Sequence, residues 1–187
     1  MSSDDKAHWE EAYATLPPQA AAAPARFLAE NVSLLIPGRT LDLAAGRGRN
    51  AVFLAAHGHR VLAVDLSRTA LEAIAPRSAI DLAQVDLDRP CFHSFSVDNV
   101  VSINFLDRRL FPEMVGWLKP GGVLLFDTFL IDQARCGHPR NPDFLLVHNE
   151  LLERIHGLRI LRYREGLVAD DSGSSFRAGV VAVRPLA

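Results

Sequence analysis

The sequence predicts an α/β protein whose core is a mostly parallel, doubly wound β-sheet. From Arg39 onward, apolar runs short enough to be strands alternate with helical patterns, which is typical of a parallel sheet. The strand runs lack a strict alternation of polar and apolar residues, as expected when helices cover both faces. The last two runs are joined by the short, turn-rich DDSGSS, and strands joined so closely must pair antiparallel. We therefore expect the last strand to run against the others.

The elements follow from local signals in chain order. Two helices are expected at about residues 4–14 and 24–33, separated by the prolines of LPPQAAAAP. RTLDLAA and RVLAVD are the first two strands, and the helix NAVFLAAH between them is ended by Gly58. Ser67 opens the next helix and Pro76 stops it. The later strands are AIDLAQVD, DNVVSINF, GGVLLFDTF, LRILRYRE and SFRAGVVAVR, with helices at about 112–118 and 149–156 and a turn from Lys119 to Gly122.

Size and composition restrict the class of protein. A chain of 187 residues suits one domain, and 49% hydrophobic with 22% charged residues is the balance of a soluble globular protein. The net charge is -2 and the arginines are scattered, so no basic face for nucleic acid is visible. No apolar run approaches the ~20 residues that span a bilayer. We expect neither a nucleic-acid partner nor a membrane partner; the sequence leaves the oligomeric state open.

The cysteines and histidines indicate a reducing compartment and no metal site. Cys91 and Cys136 lie far apart, outside any metal-binding spacing, and two cysteines do not make a disulfide framework. The polar N-terminus MSSDDKAHWEEAY lacks the apolar core of a signal peptide. The seven histidines include no HxxxH or HExxH pair. We expect a cytoplasmic protein without a bound metal.

The segment LDLAAGRGRN, residues 41–50, follows the first predicted strand, where ligands bind in doubly wound sheets. Gly46 and Gly48 let the backbone turn sharply and approach a ligand, and Asn50 falls in the first turn of the next helix. With Ala51, the glycines also satisfy the GxGxxA form of the dinucleotide fingerprint. An NAD-dependent oxidoreductase is therefore one interpretation, although no YxxxK pair accompanies the loop.

Three acids at strand ends favour a different cofactor. Asp65 closes RVLAVD, where a carboxylate accepts hydrogen bonds from both hydroxyls of a ribose. Asp42 would repel a pyrophosphate but attract the ammonium and sulfonium of S-adenosylmethionine. Asp86 suits the exocyclic amine of an adenine beside the backbone amide of Leu87, although Asp88 is an alternative. The competing interpretation of Asp42 and Asp65 is a carboxylate that caps the next helix or loop.

This succession of segments resembles the class I S-adenosylmethionine-dependent methyltransferases. LDLAAGRGRN is similar to their first motif, AVD to their ribose acid, VDLD to their adenine segment, DNVVSINFLD to their fourth-strand motif and LKPGGVLLFDTF to the turn and strand that follow. The similarity covers roughly residues 38–130. GRN, HWEEAY and NPDFLLVHNELL resemble the branch of tellurite-resistance and small-molecule thiol methyltransferases. Ala44 replaces the family's first glycine and takes a positive φ less readily, and Ala45 stands where this branch often has cysteine.

The resemblance implies a three-layer, Rossmann-like fold with a mostly parallel seven-stranded sheet and an antiparallel last strand. It implies one methyltransferase domain, residues 1–187, with a helical cap at 1–37, a cofactor-binding core at 38–130, and a substrate-side segment with the terminal strands at 131–187. The implied cofactor is S-adenosyl-L-methionine. Its methionine part is expected near Asp42, Ala44, Gly46, Arg47, Gly48 and Asn50, its ribose on Asp65, its adenine at Leu66, Asp86 and Leu87, and its reactive side along Asn104 and Phe105.

Three further residues are expected on the substrate side. Trp9 and Tyr13 share one face of the first helix and either close over the cofactor or pack onto the sheet. His138 lies in the irregular LIDQARCGHPRNP, where a substrate wall is expected. Arg47 either holds the carboxylate of the methionine part or faces water.

The implied function is methyl transfer to a small-molecule acceptor such as a thiol or a metalloid oxyanion. No catalytic residue is identified, and a hydroxyl or amine acceptor would require a base, for which His138, Asp107 and Asp127 are candidates. The alternatives are an NAD(P)-dependent oxidoreductase and a non-catalytic domain that binds the cofactor and serves a regulatory partner.

Overall fold

The computed structural model describes residues 3–15, 23–170 and 173–186, in which seven strands form one sheet. The strands are β1 Arg39–Leu43, β2 Arg60–Asp65, β3 Ile80–Gln84, β4 Val97–Ile103, β5 Leu118–Phe129, β6 Arg159–Asp170 and β7 Gly173–Val183. Their order across the sheet is β3-β2-β1-β4-β5-β7-β6. Strands β1 to β5 pair in parallel, whereas β7 pairs antiparallel with both β5 and β6. The predicted sheet, with its antiparallel last strand, is confirmed.

The α-helices of the described residues are α1 Ser3–Thr15, α2 Arg26–Asn31, α3 Arg49–Ala56, α4 Arg68–Glu72, α5 Leu110–Trp117 and α6 Glu150–Arg154. The second predicted helix is shorter than expected and continues as a 3-10 turn, Val32–Leu34. Ser67 caps α4 as predicted, because its side chain accepts a hydrogen bond from the backbone N–H of Ala70. Pro17, Pro18 and the middle of DDSGSS lie outside the described residues.

Helices cover both faces of the sheet and give three layers. On one face, Trp117 of α5 packs in the same core as Phe126 of β5. On the other face, Leu28 of α2 and Leu54 of α3 pack in the same core as Leu125. Neighbouring residues of β5 therefore enter opposite cores, which explains why this strand reads as a continuous apolar run.

The start of α5 differs from the prediction. The helix begins at Leu110 rather than at Pro112, so the proline lies in its first turn. Proline is tolerated there, because the N–H that it lacks has no partner within the helix. Because a proline suits the helix start as well as the first turn, the sequence predicts a boundary two residues too late.

The segment from Lys119 to Gly122 is not the turn that was predicted. Strand β5 already begins at Leu118, and its register against β4 shifts within this segment. The positive φ of Gly121, 79°, accommodates the irregular backbone, and Lys119 Nζ lies 2.8 Å from a carboxylate oxygen of Asp98. The glycines and proline therefore shape a bulge inside the strand.

The strand order reverses at β1, which has β2 on one side and β4 on the other. In doubly wound sheets the crevice for ligands lies beyond the carboxyl ends of the strands at this point. The loops that follow β1, β2 and β4 consequently meet at one edge of the sheet.

Candidate functional site

A cavity of about 1500 Å³ opens at this edge. Its walls come from the loop after β1, the ends of β2 and β4, helix α1, and the segment that follows β5. Most of the predicted cofactor residues line it: Ala44, Gly46, Arg47, Asn50, Asp65, Leu66, Leu87, Asn104 and Phe105. All three predicted substrate-side residues, Trp9, Tyr13 and His138, line it as well. Asp42, Gly48 and Asp86 are not on its wall.

The loop after β1 is tight, and three of its residues have left-handed backbone conformations. The φ angles are 51° at Ala44, 54° at Gly46 and 77° at Gly48. A Cβ on Gly46 would lie 2.8 Å from Tyr13 Oη, and one on Gly48 would lie 2.5 Å from Ile74 Cδ1. The glycines therefore leave room for helix α1 and for the neighbouring core. Ala44 adopts the conformation that an alanine disfavours, which confirms the need for a positive φ there.

Asp65 ends β2 and supports this loop. It is buried, and its Oδ2 accepts from the Gly46 N–H at 2.8 Å while its Oδ1 accepts from the Ser67 N–H at 2.9 Å. Burial raises the pKa of Asp65, although these amide hydrogen bonds oppose the rise. Asp65 is thus a cap for the backbone, as the competing interpretation predicts, and also a wall of the cavity. Each carboxylate oxygen has a second lone pair for a ligand hydroxyl.

Asp42 lies behind the loop. Asp42 is 1% exposed, and its Oδ2 has no hydrogen-bond partner in the part of the chain that the structure describes. Burial, reinforced by the negative charge of Asp65, raises the pKa of Asp42 to about 7. Asp42 therefore lies one layer behind the cavity wall, and its contact with the methionine part of the cofactor stays a prediction.

Asp86 follows β3, and its side chain folds back onto the backbone of the same turn. Its Oδ1 accepts from the backbone N–H of Asp88 at 3.0 Å, while Asp88 itself lines the cavity. The strand ends at Gln84, earlier than predicted, so the two acids lie in the following turn. Asp88 takes the wall position expected for Asp86, which was the alternative that the sequence left open.

Helix α1 covers the cavity and is attached at two places. Glu10 accepts hydrogen bonds from Ser67 Oγ, Arg68 N and Thr69 N at 3.0, 2.8 and 3.1 Å. A hydrogen bond from the Thr69 side chain is the leading cause that lowers the pKa of Glu10 to about 2. Arg47 donates to the carbonyl oxygen of Tyr13. Arg47 therefore binds the covering helix through one donor and also lines the cavity, and its contact with a ligand carboxylate stays a prediction.

The opposite wall includes His138, Asp143 and Phe144, and a single side chain holds part of it in place. Arg108 donates to the carbonyl oxygens of Asp143 at 3.0 Å and Leu145 at 2.8 Å. Its guanidinium also forms two hydrogen bonds with the buried carboxylate of Glu150, at 2.7 and 2.9 Å. The sequence analysis missed Arg108, although the pair Arg108-Arg109 next to a predicted strand end is a signal that could have identified it.

The three candidate bases differ in their surroundings. Asp127 is 2% exposed and is bound by Arg177 and Arg164, so it has no free access to a ligand. Asp107 lines the cavity, and although burial opposes its charged form, hydrogen bonds from Arg109 lower its pKa. Only His138, which is exposed at the cavity, keeps the position of a candidate base.

The groups at this edge fit S-adenosylmethionine. Asp65 offers lone pairs at the end of β2, and Asp42 lies behind the glycine loop, where a bound ammonium or sulfonium would favour its charged form. A pyrophosphate would meet carboxylates there, since the guanidinium of Arg47 is bound to helix α1. No group of three or more His, Cys, Asp or Glu residues in the described ranges is arranged to hold a metal ion.

Comparison with protein families and curated proteins agrees with this geometry. Residues 40–122 match the model of a methyltransferase domain. Ribosomal RNA small subunit methyltransferase C of Alcanivorax borkumensis is 33% identical over 105 residues, which is 47% of this chain and 31% of that protein. Hemagglutinin 1 of Eikenella corrodens is 26% identical over 150 residues, 74% of this chain and 49% of that protein. The chain spans half or less of the length of these curated relatives.

Solved structures share the fold. A SAM-dependent methyltransferase of Methanosarcina mazei has a TM-score of 0.68 at 17% identity, over 83% of this chain and 97% of that one. TehB from Haemophilus influenzae has a TM-score of 0.69 at 21% identity, over 94% of this chain and 67% of that one. A structure reported for the conversion of a disulfide bond into a thioacetal group during echinomycin biosynthesis has a TM-score of 0.72 at 18% identity, over 97% of this chain and 93% of that one.

Proposed function

We propose that this chain, which belongs to the class I S-adenosylmethionine-dependent methyltransferases and takes S-adenosylmethionine as its cofactor, methylates a small-molecule acceptor. The acceptor class that we propose is a thiol, a metalloid oxyanion or a similar nucleophile. TehB is among the structural neighbours, which supports the branch that the sequence resembles.

The size and walls of the cavity are the observation that carries this proposal. A volume of about 1500 Å³ exceeds the ~300–1,000 Å³ of an ordinary small-molecule pocket, so a second molecule has room beside the cofactor. Trp9, Phe105, Phe129 and Phe144 line it, which suits a compact and partly apolar acceptor.

The residues of this chain have three tasks in the reaction. Asp65 and the loop around Gly46 would hold the cofactor, with Leu66 and Leu87 beside the adenine and Asp42 behind the loop. S-adenosylmethionine supplies a methyl group that its sulfonium already activates. The chain then has to align the acceptor and exclude water. Helix α1, attached through Glu10, and the wall held by Arg108 are the elements placed to do so.

Two of the three candidate bases are engaged by arginines and only His138 is left, which favours an acceptor that arrives deprotonated. Asp127 is bound by two arginines, and Asp107 by Arg109. A thiolate or an oxyanion needs no base at the moment of transfer, whereas a neutral hydroxyl or amine does.

The chain's charge supports a small acceptor over nucleic acid. The relative that acts on ribosomal RNA matches 47% of this chain, and the net charge here is -2. Arg108 and Arg109 at the cavity are engaged by Glu150, Asp107 and Asp88 instead of forming a basic surface. Ribosomal RNA is therefore the alternative acceptor.

The place of action and the division of the chain are also proposals. Both cysteines are free and exposed, which suits a reducing cytoplasm. Among the described helices, none combines the length and the apolar character needed to cross a membrane. We assign residues 1–37 to a cap, 38–130 to cofactor binding and 131–187 to the acceptor side.

Two measurements test the proposal. Calorimetric titration compares S-adenosylmethionine with NAD and NADP, and binding of a dinucleotide in place of the methyl donor would contradict the cofactor. Methyl transfer from labelled S-adenosylmethionine is then measured with thiols, phenols, amines, tellurite and ribosomal RNA. We expect transfer to small nucleophiles and none to RNA. Tight cofactor binding without transfer to any acceptor would favour a regulatory domain.

A further inference from the structure

A buried charged cluster lies behind the cavity wall, where Asp127 of β5 meets Arg177 of β7 and Arg164 of β6. The carboxylate of Asp127 lies 2.8 Å from Arg177 Nε, 2.6 Å from Arg177 Nη2 and 3.1 Å from Arg164 Nη2. The guanidinium of Arg177 also lies 4.2 Å from the ring centroid of Phe129. A Cβ on Gly179 would lie 2.6 Å from Asp127 Oδ1, so this glycine makes room for the carboxylate. The position of Arg177 is thereby fixed.

Arg177 makes one further hydrogen bond, to a residue of the cavity wall. Its Nη2 donates to Oδ1 of Asn104, which is exposed and lines the cavity. Asn104 has a left-handed backbone conformation, with a φ of 60°, and its N–H donates to the carbonyl oxygen of Asp127 at 2.9 Å. The main chain of Asn104 is thus tied to β5, and its side-chain oxygen is tied to β7.

This contact determines which end of the Asn104 amide is available to a ligand. A guanidinium has donors and no acceptor, so only the amide oxygen can face Arg177. The Nδ2 amino group is then the end left for the cavity, and it is a donor. The positive charge behind the amide strengthens that donor, because hydrogen-bonded groups polarise one another in a low-dielectric setting.

We propose that Nδ2 of Asn104 donates a hydrogen bond to the nucleophilic atom of an acceptor that binds as an anion, and that Arg177 is the positioning residue that holds the amide in this orientation. The inference rests on the proposed function of the cavity and narrows its acceptor to a thiolate or another deprotonated nucleophile. A neutral amine nitrogen has one lone pair, which it needs for the attack and cannot also offer to the Asn104 donor, so this acceptor is disfavoured.

The reaction balances without a proton transfer inside the cavity. The acceptor loses its proton to solvent before it binds. Its anionic atom then forms a bond with the methyl carbon, the bond from that carbon to the donor sulfur breaks, and the electron pair remains on that sulfur. The anion becomes neutral, so the Asn104 donor binds the reactant better than the product.

Three ligands of one shape test the charge preference: 4-nitrothiophenol, 4-nitrophenol and 4-nitroaniline. Their dissociation constants are measured by titration in the presence of S-adenosylhomocysteine, so the result does not depend on turnover. We expect the protein to bind a thiolate or phenolate at least about tenfold more tightly than the aniline. Comparison of the 4-nitrothiophenol and 4-nitrophenol titrations shows which anion the protein prefers.

Asn104→Asp tests the donor most directly. It keeps an oxygen for Arg177 and tolerates the left-handed backbone, but it replaces the amino group with a second carboxylate oxygen. We expect binding of the anions to weaken by about tenfold or more, while the aniline binds as well as before or better. A uniform loss for all three ligands would instead indicate a damaged cavity.

Arg177→Lys tests the positioning role, and Arg164→Lys is its matched control. Both variants keep a cation next to Asp127, but only the first removes the guanidinium that orients Asn104. We expect the ratio of anion to aniline affinity to fall about tenfold in Arg177→Lys and to stay constant in Arg164→Lys. A ratio within one protein does not respond to a partial loss of fold.

The outcomes separate this inference from the proposed function. If Asn104→Asp binds the anions as the natural protein does, if both lysine variants change the ratio alike, or if none of the three ligands binds, the inference is wrong. Methyl transfer to a small acceptor could then still occur and the proposed function would stand. If the anions bind with the predicted dependence but none is methylated, the inference holds and the proposed activity on these acceptors fails.

Discussion

At the scale of single residues, Ala44 shows a conflict between a local preference and the loop around it. Its φ of 51° lies where an L-residue with a Cβ is disfavoured by about 1–2 kcal/mol. The loop holds it there, since the N–H of the next residue, Ala45, donates to the carbonyl oxygen of Val64 at 2.9 Å. The strain is thus compensated by the way the loop attaches to β2.

We expect Ala44→Gly to raise the free energy of unfolding by about 0.5–1 kcal/mol. Glycine removes the strain, and the larger entropy of its unfolded state offsets part of the gain. Urea unfolding measures the change. Ala45→Gly, next to it and without a positive φ, is the control and should lower stability by a similar amount. Equal changes of the same sign in both variants would contradict the explanation.

Asp65 has a structural and a binding role. Removing its carboxylate in Asp65→Ala leaves two backbone amides of a buried loop without their partner, so we expect the free energy of unfolding to fall by about 1–3 kcal/mol. Affinity for S-adenosylhomocysteine should fall by a comparable amount, as calorimetry would show. Asp81→Ala, at an exposed site on β3, should change neither quantity by more than about 0.5 kcal/mol. Full affinity in Asp65→Ala would place the ribose elsewhere.

At the scale of elements, the sequence was most informative where structure is local. The alternation of apolar runs and helices, the cap at Ser67 and the antiparallel hairpin at the end of the chain were predicted correctly. The differences arise where one signal has two meanings. Pro112 suits the first turn of a helix as well as its start, and Gly121 suits a bulge as well as a turn.

At one of its two attachments, helix α1 depends on a single carboxylate, that of Glu10. We expect Glu10→Gln to loosen it, because the neutral amide weakens three hydrogen bonds near the start of α4. Acrylamide quenching of Trp9 measures this, since Trp9 is 41% exposed whereas Trp117 is 2% exposed. Glu11→Gln, on the same helix, should leave the quenching unchanged, and an equal effect of the two variants would rule out the specific contact.

The same contact predicts a dependence on pH. The pKa of Glu10 is lowered from 4.5 to about 2 in the folded chain, so its charged form stabilises the attachment above the unfolded value. That contribution is lost as pH falls from about 4.5 to about 2. Quenching of Trp9 should rise over this interval, and its dependence on pH should be weaker in Glu10→Gln.

At the scale of the whole molecule, Asp42 gives stability an opposite dependence on pH. Its folded pKa of about 7 lies above the unfolded value of 3.8, so between these values the folded chain keeps a proton that the unfolded chain has lost. Stability should therefore fall as pH rises from about 4 to about 7. Urea midpoints at about pH 5 and about pH 8 should differ less in Asp42→Asn than in the natural protein. An unchanged difference would show that Asp42 ionises freely.

The candidate site was predictable where one segment supplies several groups. The loop after β1 and the acid at the end of β2 could be identified from LDLAAGRGRN and RVLAVD. The contacts between Arg108 and Glu150, 42 positions apart, and between Asn104 and Arg177, 73 positions apart, could not. Periodicity and spacing carry no information about which distant side chains meet, because packing of the whole sheet decides it.

Strand β7 lies between β5 and β6, although it follows both in the chain. On the ribosome, the hydrogen-bonding edge of β5 therefore remains open until the segment after residue 172 has been released. At ~5–20 residues per second this lasts for seconds, during which an unpaired apolar edge invites association with other nascent chains. The protein is consequently most vulnerable to aggregation between the emergence of β5 and that of β7, after the cofactor loop has emerged, and we expect chaperones that bind emerging chains to matter most at that stage.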